Sequence, residues 1–132
     1  GSFCIAINES SEDNTQIEEY LHTYKGAGIR HLAFRTHDLL KSLDALRGTS
    51  ITTLAIDDAY YADAFKRVPK TREEQQRIKA HGVLVDGDVT SNLLQVFTPP
   101  LIGPIFIELI EHENHPAFGS GNSWNVVTLE GA

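Results

Sequence analysis

The sequence predicts an α+β fold, because segments of period two alternate with segments of helical period and the last three strands follow one another with no helix between them. The strand-like segments "NLLQVF" and "PIFIELIEH" are apolar at both parities, so their sheet should be covered on both faces. The third observation is size. At 132 residues, 41% hydrophobic and 22% charged, residues 1–132 have the length and composition of one domain, or of part of a larger one.

The elements follow in chain order. Gly1-Ser2 is compatible with a cloning scar and carries no weight, and "FCIAI" (3–7) reads as a short strand. In "NESSEDNTQIEEYLHTY", a Ser/Asp/Asn cluster can cap a helix on which Ile17, Tyr20, Leu21 and Tyr24 recur at helical spacing, and the glycines of "KGAG" end it. "IRHLAFRT" (29–36) is a strand. Asp38 then opens a helix, with Leu39, Leu40, Leu43 and Leu46 on one stripe and Gly48 as its stop. "ITTLAI" (51–56) reads as a strand. Two helical segments, 57–68 and 71–82, are separated at Pro69, and Gly82 closes the second. The strands "VLVDGD", "NLLQVFTPP" and "PIFIELIEH" come next, with a turn signal at Asp86-Gly87-Asp88 and breaks at Pro99, Pro100 and Gly103. Residues 119–132 have no clear period and read as an irregular tail.

Charge and cysteine use exclude several classes of function. The net charge of −7, from 18 acidic and 11 basic residues, repels phosphate backbones and anionic lipid, so neither nucleic acid nor membrane is an expected partner. No apolar run approaches the ~18 residues of a membrane span, and the first residues lack the basic region of a signal peptide. Cys4 is alone, which fits a reducing cytoplasm and excludes a cysteine-type structural zinc site.

Three polar residues interrupt the apolar strands. Ile29, His31, Ala33 and Arg35 share one face of their strand, Leu93, Gln95 and Phe97 share one of theirs, and Phe106, Glu108 and Ile110 share one of the last. If these faces coincide, His31, Gln95 and Glu108 line one surface. Taken singly, a strand histidine is usually a satisfied core residue, and a strand glutamate often lies at an edge. Together they fit part of the two-histidine, one-carboxylate ligand set of non-heme iron.

"GAGIRHLAF", "LVDGD", "LLQVFTPPLIGPIFIELIE" and "AFGSGN" together resemble the C-terminal, catalytic domain of the 4-hydroxyphenylpyruvate dioxygenases, over residues 7 to 122. That family belongs to the vicinal-oxygen-chelate superfamily. The resemblance therefore implies a βαβββ module with a curved mixed sheet, the C-terminal part of a larger dioxygenase-like domain. It implies conversion of 4-hydroxyphenylpyruvate to homogentisate with Fe(II) and O2, in tyrosine and phenylalanine breakdown. It also implies that His31 and Glu108 are iron ligands, with the third ligand, a histidine, lying upstream of residue 1. Gln95, Asn8, Gln16, Phe97, Phe106, Phe118 and Asn122 match pocket positions. His37, His81, His112 and His115 match no ligand position and read as surface or turn residues.

Two departures stand out. The family usually has glutamine where this chain has Arg30, which strand alternation would point away from His31. After "FGSGN" the family continues into a helix, whereas "SWNVVTLEGA" is a poor helix former. The chain alone is expected to be inactive and, with its upstream unit missing, to associate as a homo-oligomer. The alternatives are a hydroxymandelate synthase-like oxygenase, which shares substrate and iron set, and a non-catalytic module that binds a small ligand.

Overall fold

The computed structural model describes residues 16–69, 71, 75–88 and 91–113. The first strand expected at 3–7, Asn8, Phe118, Asn122, His115 and the tail lie outside them, as does the side chain of Gln16. The described elements are α1 (Gln16–Tyr24), β1 (His31–Arg35), α2 (Leu39–Leu46), α3 (Asp58–Arg67), α4 (Gln75–Ala80), β2 (Leu84–Gly87), β3 (Asn92–Phe97) and β4 (Phe106–Glu113).

The four strands form one mixed sheet in the order β1-β4-β3-β2. The last three make an antiparallel meander that starts at the far edge and returns, so that β4 lies parallel to β1. Gly87 takes φ +122° in the β2–β3 turn, where a Cβ would stand 2.2 Å from the Ser91 carbonyl oxygen. Only glycine fits there.

Local chemistry sets the helix ends. Asp38 caps α2 by accepting from the Lys41 N–H at 2.9 Å, and Asp57 caps α3 by accepting from Ala59 N–H at 2.9 Å. Past α4, Gly82 at φ +64° lets Val83 N–H reach back to the Ile78 carbonyl at 3.0 Å. A second partner for α2 comes from across the fold, where buried Glu111 on β4 accepts from Leu39 N–H at 2.7 Å. A carboxylate there satisfies a free amide and faces the positive end of the helix.

One face of the sheet carries the core. Val85, Leu94, Val96 and Leu109 pack against Leu39, Leu40 and Leu43 of α2, Tyr61 and Ala64 of α3, and Ile78 of α4. The two sheet edges differ. On β2, the Tyr60 hydroxyl accepts from Val85 N–H at 2.8 Å and donates to Val85 O at 2.7 Å, so a helix side chain occupies the ladder position of a missing strand. β1 forms the other edge, and its Leu32 and Phe34 are 43% and 53% exposed.

The expected strand at 51–56 is not one. β3 already has a neighbour on each side, and β2, paired only as far as Gln95, leaves the Phe97 carbonyl open. Leu54 N–H takes that carbonyl at 2.8 Å, one bond at the end of β3. Segments 57–68 and 71–82 carry helices as expected, α3 over Asp58–Arg67 and, among the described residues of the second, α4 over Gln75–Ala80.

Candidate metal centre

The site lies on the sheet face opposite the helical core. Parallel pairing sets His31 beside Phe106 and Ala33 beside Glu108, and antiparallel pairing sets Phe97 beside Glu108 and Gln95 beside Ile110. Neighbours across a ladder point the same way, so His31, Phe106, Glu108, Phe97 and Gln95 share one face. Leu94 and Val96, of the other parity, face the helices.

The side chains converge. His31 Nε2 stands 3.4 Å from Glu108 Oε2, and Gln95 Nε2 donates to Glu108 Oε1 at 2.5 Å. Glu108 and Gln95 are buried, and the His31 side chain is 31% exposed. Two phenylalanine rings frame the group. The His31 imidazole stacks on Phe106 with centroids 5.1 Å apart and planes 11° from parallel, and Phe97 meets Phe106 edge-on at 5.9 Å. Such offset and edge-on contacts fix ring planes as well as burying area.

Burial disfavours charge on both partners. It pushes the Glu108 carboxyl up to about 7, with the Gln95 hydrogen bond pulling back the other way. The His31 imidazole is held below its ordinary range, first by burial and then by the Arg30 guanidinium. Distance alone would make His31–Glu108 a salt bridge. Burial instead shifts both groups toward their neutral forms.

The donor set fits a divalent cation. Two ligands bound at ~2.1 Å on adjacent octahedral positions lie about 3 Å apart, close to the observed gap between Nε2 and Oε2. A dication would return Glu108 to its carboxylate form, and neutral imidazole is the form that ligates. Among the described residues no third His, Cys, Asp or Glu joins the pair.

Of the other expected site residues, Phe97, Phe106 and Gln95 stand in the group, and α1 begins at Gln16. His37 is exposed, and His81 meets Asp44 at 3.3 Å, away from the site. Arg30 departs from expectation. Its guanidinium carbon lies 5.7 Å from the Phe106 ring centroid, within cation–π range, so it turns toward the site. It precedes the first residue of β1, at the end of the sheet, where a long side chain can reach round the pleat. The sequence signal was its place next to His31, which alternation alone discounted.

No protein-family model matches the chain. Curated relatives do. "Protein MelA" of Shewanella colwelliana is 53% identical over 92% of this chain. The 4-hydroxyphenylpyruvate dioxygenases of Legionella pneumophila and Pseudomonas aeruginosa are 38% and 37% identical, each over 92% of it. The chain spans about a third of the length of these relatives, 36% of the first two. Among solved structures, a mutant of 4-hydroxymandelate synthase from Streptomyces coelicolor superposes with TM-score 0.72 and 29% identity, covering 83% of this chain and 32% of that one. A xylose isomerase-like TIM barrel/4-hydroxyphenylpyruvate dioxygenase fusion protein gives TM-score 0.73 and 26% identity, covering 93% of this chain and 20% of that one. No helix among the described residues is long and apolar enough to cross a membrane. In sequence and in its vicinal-oxygen-chelate fold, the chain is thus a homologue, over most of its own length and about a third of theirs, of the 4-hydroxyphenylpyruvate dioxygenases.

Proposed function

We propose that the chain supplies part of the active site of an Fe(II)-dependent 2-oxo acid dioxygenase that converts 4-hydroxyphenylpyruvate to homogentisate. The observation that carries this is the buried Glu108 carboxyl, brought within 3.4 Å of the His31 imidazole from a strand far along the chain. A buried carboxyl pushed up to about 7 is costly at neutral pH unless a cation meets it. In this reading His31 and Glu108 hold the iron, and a histidine outside the described residues completes the set. When bound, Fe(II) supplies the redox chemistry through which a 2-oxo acid and O2 react.

The protein's own groups position and shield. Gln95 fixes Glu108 through Oε1 and leaves Oε2 turned to His31. Phe106 holds the imidazole plane, and Phe97 closes the row beside Glu108, keeping water from one side of the carboxyl. Gln95, Asn8, Gln16, Phe97, Phe106, Phe118 and Asn122 are assigned to substrate contact, which the family resemblance supports. The parent works in the cytoplasm, in tyrosine breakdown, as a homo-oligomer. The likeness to 4-hydroxymandelate synthase supports a second reading, oxygenation of the same substrate to hydroxymandelate.

The test is oxygen uptake and product identification with the full-length protein containing this chain, with iron content measured alongside. His31→Ala and Glu108→Gln should each lose iron and turnover. Near-normal iron and turnover in Glu108→Gln would overturn the assignment, and the product, homogentisate or 4-hydroxymandelate, decides between the two reactions.

A further inference from the structure

We propose that His81 is a proton-operated clasp between α2 and α4: its neutral imidazole bridges the two helices by accepting from Arg47, and its protonation undoes that bridge and lets the end of α4 open. The clasp lies on the helical side of the sheet, opposite the proposed metal site. Four side chains meet there. Asp44 and Arg47 come from the last turn and the C-cap of α2, Arg77 comes from α4, and His81 follows α4 directly. Arg77 Nη2 donates to Asp44 Oδ2 at 3.1 Å, and Arg47 Nε stands 3.5 Å from Asp44 Oδ1. His81 Nε2 lies 3.3 Å from Asp44 Oδ1 and 3.4 Å from Arg47 Nη2. One ring nitrogen cannot serve both. Without a proton it accepts from the guanidinium, so that Arg47 spans Asp44 and His81. With a proton it can only donate, and Asp44 is the acceptor.

The surroundings favour the neutral form. The His81 side chain is 8% exposed, and burial holds the ring below its ordinary range. Among the described residues, the charged groups that face it are Asp44 and Arg47 from α2 and Arg77 from α4. Asp44 opposes the shift, and the two guanidiniums add to it. An imidazolium would place three cations on one carboxylate, and Arg47, 67% exposed, has the readiest exit to water. Opening the end of α4 returns His81 to its ordinary value of 6.5. The closed form binds the proton less tightly than the open one, so closure is favoured above that pH and loses ground as the pH falls below it. α4 has six residues, with Ile78 buried and Lys79 paired with Asp58 of α3, so the cluster at its end bears directly on how often it opens.

Hydrogen exchange reads the clasp at the amides of His81 and Val83, which close the end of α4 onto the Arg77 and Ile78 carbonyls. Rates are measured on the full chain about one pH unit either side of the ordinary histidine value, corrected for intrinsic chemistry and set against the β3 amides. In the parent, protection of these two amides should fall severalfold relative to β3 on acidification. In His81→Gln, whose amide oxygen can accept from Arg47 and never titrates, it should not. Arg47→Gln should raise the pH at which the His81 ring proton resonance titrates, because the imidazolium loses a repelling neighbour. Parent protection that does not depend on pH, a fall of the same size in His81→Gln, or an Arg47→Gln chain in which His81 titrates no higher would each overturn the proposal.

Discussion

Replacing Glu108 by glutamine should stabilise the metal-free chain at alkaline pH, although it removes a proposed ligand. The carboxyl is pushed up from 4.5 to about 7 by burial, so the native state binds this proton more tightly than the unfolded chain does. Its contribution to stability is therefore complete below pH ~4.5 and is lost as the pH rises through about 7. Roughly 2.5 pH units at about 1.4 kcal/mol each give a loss of about 3 kcal/mol by pH 8. The amide carries no charge at any pH, and its oxygen can still accept from Gln95. Glu108→Gln should thus match the parent near pH 4.5 and exceed it by about 3 kcal/mol at pH 8, or roughly 10 °C in melting temperature for a chain of this size. The assay is thermal unfolding followed by circular dichroism at both pH values, with a chelator present. A variant no more stable than the parent at pH 8 would show that Glu108 is not held at a desolvation cost, and the metal argument would lose its basis. Saturating Mn(II) should reverse the order, since a ligand that binds only the native state stabilises it.

Three further outcomes follow from other contacts. Glu111→Gln should cost about 1–2 kcal/mol in urea unfolding, because the Leu39 N–H and the positive end of α2 lose a charged acceptor. Tyr61→Phe should leave stability unchanged or raise it by up to about 1 kcal/mol, because the buried Tyr61 hydroxyl has no hydrogen-bond partner among the described residues. Sedimentation velocity should show concentration-dependent self-association, reduced by Phe34→Lys, because among the described residues β1 is an edge strand with Leu32 and Phe34 exposed.

What the sequence made legible was whatever is written locally. Asp38, Asp57 and Gly82 marked helix ends because caps act over one turn. Period-two phase set each of His31, Gln95 and Glu108 on one face of its own strand, with apolar neighbours beside it, and the ladder register makes the three faces one. Register did not follow from parity. That Glu108 sits one step from His31 depends on a parallel ladder between segments 75 residues apart in register, which no local pattern encodes. The same holds for Glu111 reaching Leu39, 72 residues away, and for Tyr60 sealing β2. Residues 51–56 misled for the converse reason. Their composition suits a strand, but β3, the strand they reach, already has a neighbour on each side.

The parallel pairing of β1 with β4 also orders the assembly of the molecule. The β2–β3–β4 meander closes through short loops, whereas β1 must wait for β4, the last described strand, at a large cost in loop entropy. The meander can bring Gln95 and Glu108 together early, and His31 arrives only when β1 docks on β4. In native-state hydrogen exchange, the amides of β1 should then open at lower free energy than those of β3. An imidazole on the last strand to dock and a carboxyl in the meander give a site that is complete only when the whole unit is folded, so a partly folded chain offers a metal one ligand at a time.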